Sequence, residues 1–173
     1  MKHAFHFGQA MRRTGSRRGF ITGLTALCLL PLAARAAKVG SGPVVEVWKD
    51  PNCGCCKDWI THLHGRGFAT SVHDTGNATK RTELGMPQRY GSCHTARVGP
   101  YVIEGHVPAR EIHRLLKEKP AALGLAVPGM PIGSPGMDGP EYGARKDAYD
   151  VLLVKRDGSA TVYQSYAGTK VRT

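Results

Sequence analysis

The chain has 173 residues, 41% of them apolar, with 24 Lys and Arg against 13 Asp and Glu and a net charge of +11. Six of the bases (Lys2, Arg12, Arg13, Arg17, Arg18, Arg35) lie in the first 36 residues, so beyond them 18 bases face 13 acids and the charge is +5. That modest excess, with no Lys/Arg run and no interleaved aromatics, argues against a nucleic-acid partner, and the length fits one domain.

Residues 1–36 read as a targeting segment. They hold no acid, and Ser16-Arg-Arg-Gly-Phe20 precedes the apolar stretch ITGLTALCLLPLAA and then Ala34-Arg35-Ala36. A basic start, a short apolar core and small residues at the cut describe a bacterial signal peptide, and the paired arginines match the twin-arginine export pattern, with Thr22 where that pattern often has Lys. A membrane anchor is disfavoured because Pro31 interrupts a run well short of the roughly 20 residues that span a bilayer. The expectation is an exported, periplasmic domain over residues 37–173, with no stable membrane anchor after cleavage. Cys28 leaves with the signal.

Pro43–Asp50 alternates and is β-branched, predicting a strand. In CCKDWITHLHGRGF, Trp59, Ile60 and Leu63 fall on one side of a helix that Gly65 and Gly67 end. Ala69–Thr75 reads as a second strand and Asn77–Leu84 as a short helix. His94–Gly99 and Tyr101–Val107 predict a strand pair turned at Gly99-Pro100. Residues 108–119 form an amphipathic helix with Ile112, Leu115 and Leu116 on its apolar face. Residues 123–139 are too rich in Gly and Pro for regular structure, and residues 150–166 close as a β-hairpin around Asp157-Gly158. The order predicts an α/β, thioredoxin-like fold with a C-terminal β-hairpin and a long Gly/Pro-rich loop.

Four of the five cysteines lie beyond the signal, and Cys53, Cys55 and Cys56 crowd the predicted strand-to-helix turn. A helix N-terminus favours thiolate over thiol, and Gly54 lets the backbone turn tightly there. Cys53 and Cys56 have the spacing of a thiol–disulfide exchange pair. Against that use, Cys55 could capture the mixed disulfide. Three thiolates on one turn suit a soft ion such as Cu(I). Zinc is less well matched, because its structural sites split ligands into two separated pairs, and a structural disulfide with a leftover thiol is the plain alternative. In a thioredoxin-like fold the loop before the third strand lies against the cysteine turn, so Cys93 would complete a four-sulfur cluster, with His94 beside it. Met130 and Met137 sit on the Pro-stiffened loop, where thioethers suit copper or simply fill gaps in the core. His106 follows an apolar strand as ligand or as structural histidine. His62, His64, His73 and His113 carry no ligand pattern and default to the surface.

The blocks CGCCKDW, SCHTA, YVIEGHVPA and GLAVPGMPIGSPGM, in this order and spacing, resemble the bacterial CopG-like metal-binding proteins, a domain family of unknown function associated with copper resistance. The resemblance covers roughly residues 44–166. It implies a thioredoxin-like fold, export and copper as ligand. It places the family's cluster cysteines on Cys53, Cys55 and Cys56 and the partner cysteine on Cys93; His94, His106, Met130 and Met137 fall on the matching blocks. More thiolates than one Cu(I) needs suggest a polynuclear, sulfur-bridged site. Non-catalytic copper binding, with periplasmic copper-handling proteins as partners, is favoured over an enzyme. Sequestering copper, passing it on and cycling it between oxidation states are all uses that such a site allows, and no sequence feature separates them. The alternative function is a thiol–disulfide oxidoreductase using Cys53 and Cys56.

Overall fold

The computed structural model describes residues 42–169, so the signal-peptide reading of residues 1–36 lies outside the described residues. Strand β1 (Val44–Lys49) follows from its alternation: Val45 and Val47 are fully buried on one face. Helix α1 (Gly54–His64) buries Cys56, Trp59, Ile60 and Leu63, the spacing that one face of a 3.6-residue period dictates. It returns the chain to β2 (Ala69–His73), parallel to β1. A short helix α2 (Ala78–Glu83) leads to β3 (His94–Val98) and β4 (Tyr101–Glu104), an antiparallel pair. Helix α3 (Ala109–Glu118) ends at Lys119, which takes a left-handed backbone (φ 50°) before Pro120. Strands β5 (Gly124–Ala126), β6 (Tyr149–Val154) and β7 (Ala160–Tyr166) complete a seven-stranded sheet of order β2-β1-β3-β4-β5-β6-β7.

The sheet has two covered faces, and strand alternation decides which side chain goes where. The main core combines Val45, Val47, Ile103, Leu125 and Val151 with Trp59, Ile60 and Leu63 of α1 and Ile112 and Leu115 of α3. The opposite face carries Val102, Ala126 and Val154 under Met86, Leu84 and Tyr90. Glu104 is two residues along β4 from Val102, so it too faces the α2 side. Among the described residues no helix is long and apolar enough to cross a membrane.

The mixed α/β architecture holds, with two differences from the sequence reading. Residues 123–139 contain a strand. Gly124, Leu125 and Ala126 are buried and pair with β4 on one side and β6 on the other. A Cβ on Gly124 would lie 1.7 Å from the Val102 carbonyl oxygen, so the glycine that argued for a loop is what lets two strands close up. Gly54 is the second. It begins α1 with nothing within 4 Å of where a Cβ would stand, and the tight turn expected there is instead a regular first helical turn.

Candidate metal centre

The end of β1 and the start of α1 set the first three sulfurs. The Asp50 carbonyl accepts from the Cys53 amide (3.1 Å), which turns the chain so that Cys53 caps α1 with extended backbone. Cys55 and Cys56 then occupy the first helical turn. The fourth sulfur arrives from the loop before β3. Because β3 lies beside β1, with Lys49 opposite His94, Cys93 falls directly against that turn. The four Sγ atoms lie within 4.8 Å of one another. Cys53 and Cys55 are 3.5 Å apart, Cys55 and Cys93 3.8 Å, Cys56 and Cys93 3.5 Å. Cys53 and Cys56 are joined as a disulfide, while Cys55 and Cys93 are thiols.

Two histidines extend the cluster. Cys93 Sγ is 3.1 Å from His106 Nε2 and 3.5 Å from His94 Nδ1. Both imidazoles are fully buried. His106 Nδ1 donates to the Pro135 carbonyl (2.8 Å), which leaves the Nε2 lone pair facing the sulfur. This is how a second partner fixes the tautomer of a metal-ligating histidine. His94 packs on Trp59, ring centroids 4.3 Å apart, and meets His106 edge-on at 4.9 Å. Its Nε2 has no hydrogen-bond partner. Closely spaced donor atoms, soft sulfurs and imidazole nitrogens together make a donor set that fits a soft or borderline metal ion.

A strap over residues 131–138 closes this group from above. Gly136 has φ +84°, and a Cβ there would stand 2.5 Å from the Cys55 carbonyl oxygen and 2.8 Å from the Trp59 amide nitrogen. Only glycine lets the strap lie this close to α1. Met137 is nearly buried, and its sulfur accepts from the Tyr142 hydroxyl (3.6 Å). Met130 is 51% exposed. It follows Gly129, whose carbonyl accepts from the Ser92 hydroxyl. The structure therefore gathers Cys53, Cys55, Cys56, Cys93, His94 and His106, and it places the two methionines at the strap and at its approach.

Sequence reasoning left His62 and His73 on the surface by default, and both do more than that. His62 Nε2 accepts from the Ala109 amide at the start of α3 (3.1 Å). His73 stacks on Trp48, with its Nε2 buried and without a partner. Sequence reasoning also missed Arg81, Asn77 and Glu104, which surround the loop carrying Cys93. Their signal was a carboxylate ending the otherwise apolar run Tyr-Val-Ile-Glu.

Burial pushes the Cys93 thiol up to about 12, helped by repulsion from Cys55. Without a metal it keeps its proton at neutral pH, so a metal entering the cluster displaces a proton. His94 is held well below 6.5 by burial and by His106; burial also lowers His106 and His62. The unfolded chain binds these protons first as pH drops, so the histidines stabilise the fold above pH 6.5, and that contribution is lost as pH falls through their folded values. The metal-free domain is expected to show a falling thermal midpoint from pH 6.5 downward. A midpoint flat between pH 7.5 and 5 would show that the three imidazoles are not held neutral.

A family model described as a protein of unknown function, DUF411, matches residues 90–137, which carry Cys93, both buried histidines, α3 and the strap. Two solved structures are similar over nearly the whole described domain. One, described as copper resistance protein CopG, Form 1, is 45% identical and covers 73% of this chain and 100% of its own, with a TM-score of 0.68. The other, Form 2, is 44% identical over 72% and 98%, with a TM-score of 0.67. No curated protein sequence matches the chain. Fold and site define a mixed α/β domain built around a cysteine–histidine cluster. The chain belongs to the CopG-like family of copper resistance proteins.

Proposed function

We propose that this chain is an exported copper-binding protein that holds Cu(I), more than one ion, at Cys53, Cys55, Cys56 and Cys93. The observation that carries the reading is the convergence of four Sγ atoms within 4.8 Å across 40 residues of sequence. Thiolates are the preferred ligands of Cu(I), which tolerates two or three of them, so four sulfurs serve several ions by bridging. His94, His106 and Met137 supply further soft or borderline donors, and Met130 offers an exposed thioether at the approach. The similarity to proteins described by copper resistance supports the same cargo. Residues 1–36 act as a twin-arginine signal and residues 37–173 as a periplasmic domain. The order β2-β1-β3-β4, with α1 between two parallel strands and α3 after β4, supports a thioredoxin-like core.

The four-thiolate set exists only when the Cys53–Cys56 bond is reduced: an external dithiol gives up two electrons and two protons, closes its own S–S bond, and leaves two thiols here. That disulfide favours a second reading, a thiol–disulfide oxidoreductase using the same pair. The two readings disagree about Cys55, which is 3.5 Å from Cys53. In an oxidoreductase it is a spectator or an interfering nucleophile, whereas in a copper site it is a ligand or bridge. Cys55→Ser is therefore expected to lower copper occupancy in a Cu(I) titration and copper tolerance in cells. Strong insulin reduction that survives the substitution, with unchanged copper binding, would establish the oxidoreductase instead.

A further inference from the structure

The loop that carries Cys93 is gripped by a buried ion pair. Arg81 of α2 and Glu104 of β4 are 5% and 0% exposed, and Arg81 Nε meets Glu104 Oε1 at 2.8 Å. Between them they hold both ends of Ser92, the residue before Cys93. The Ser92 amide donates to Glu104 Oε1 at 2.8 Å, and its carbonyl accepts from Arg81 Nη2 at 2.6 Å. Asn77 Nδ2 adds a second donor to that carbonyl at 3.1 Å and reaches Thr95 Oγ1 at 3.2 Å. Thr95 Oγ1 in turn donates to Glu104 Oε2 at 2.6 Å. Each residue flanking the Cys93–His94 pair is thus tied to one carboxylate. Glu104 also lies two residues before His106.

A buried ion pair is a poor way to gain stability. Desolvating two charges offsets much of their attraction, and apolar replacements of similar volume are often neutral or stabilising. What the pair does supply is direction: a carboxylate and a guanidinium accept and donate along fixed lines. We infer that Arg81 and Glu104 are positioning residues that hold the Ser92–Cys93 segment so that the Cys93 sulfur meets the α1 cysteines and His106. Neither residue hydrogen-bonds to the cluster: Arg81 acts through Ser92, and Glu104 through Ser92 and Thr95. The inference rests on the proposed function only in taking Cys93 as a metal ligand.

The test is the Arg81→Met/Glu104→Leu double variant, with alkylation by iodoacetamide followed at each cysteine by mass spectrometry in the reduced, metal-free protein. Thermal unfolding and Cu(I) competition are measured in parallel. The variant is expected to fold, with Cys93 alkylated about tenfold faster relative to Cys55 and Cu(I) bound about 10–100-fold more weakly, the range that outer-shell partners command. The Cys93-to-Cys55 ratio separates positioning from stability, because general loosening accelerates both. A folded double variant with the wild-type ratio would overturn the inference. Should the double variant not fold, Arg81→Lys decides. It keeps the charge opposite Glu104 but loses the second nitrogen that holds the Ser92 carbonyl. A raised Cys93-to-Cys55 ratio in it supports the clamp, and an unchanged ratio overturns it. If wild-type protein bound no Cu(I), the copper reading would fail while the alkylation ratio still decided the clamp.

Discussion

Cys93→Ser is expected to weaken Cu(I) binding by more than about a hundredfold, beyond the upper end of what loss of an outer-shell partner costs. The residue lies far in sequence from the other three cysteines, yet its sulfur is the one within contact distance of the most potential ligands: Cys55, Cys56, His94 and His106. Removing it leaves three sulfurs on one helical turn and cuts the histidines off from them. Serine is close in size, so the fold should survive, and thermal unfolding would verify that. Competition against a Cu(I) chelator supplies the measurement. Wild-type affinity and stoichiometry in the mutant would remove Cys93 from the site.

Trp59→Ala should cost about 3–5 kcal/mol of stability, the usual range for emptying a large buried aromatic position. For a domain of this size that is a fall in thermal midpoint on the order of 10–20 °C. Trp59 is fully buried in the main core, and its indole nitrogen donates to the Val107 carbonyl at 2.8 Å. Its effect reaches the cluster by two contacts. His94 rests against the indole ring, and Gly136 of the strap packs on the Trp59 backbone. Trp59→Phe separates the parts: it keeps most of the volume and orphans the Val107 carbonyl, for a loss of about 1–3 kcal/mol. Calorimetry on both variants checks the order, and an alanine variant as stable as the phenylalanine one would contradict the packing account.

Much of this architecture is legible in the residues because the decisive signals are local. Val45 and Val47 alternate into β1, Trp59, Ile60 and Leu63 repeat at helical spacing in α1, and Ile112 and Leu115 do the same in α3. Three cysteines on one turn are visible without any fold. Their meeting with Cys93 depends on β3 lying beside β1, a long-range pairing that spacing alone does not contain. Strand β5 escaped because three residues are too few to show alternation, and Gly124 reads as a loop signal until its two neighbouring strands are in view. The Arg81–Glu104 pair escaped for a related reason. A glutamate at a strand end is ordinarily solvated, and here Arg81 of α2 together with Ser92 and Thr95 encloses it. The convergence of His94 and His106 required both strand ends and the strap together.

The measurement that bears most directly on the central claim is the Cu(I) stoichiometry of residues 37–173, reduced and titrated under argon against a competing chelator. Four converging sulfurs predict more than one Cu(I) per chain, bound in preference to zinc at equal availability. One equivalent or fewer, or a preference for zinc, would contradict it.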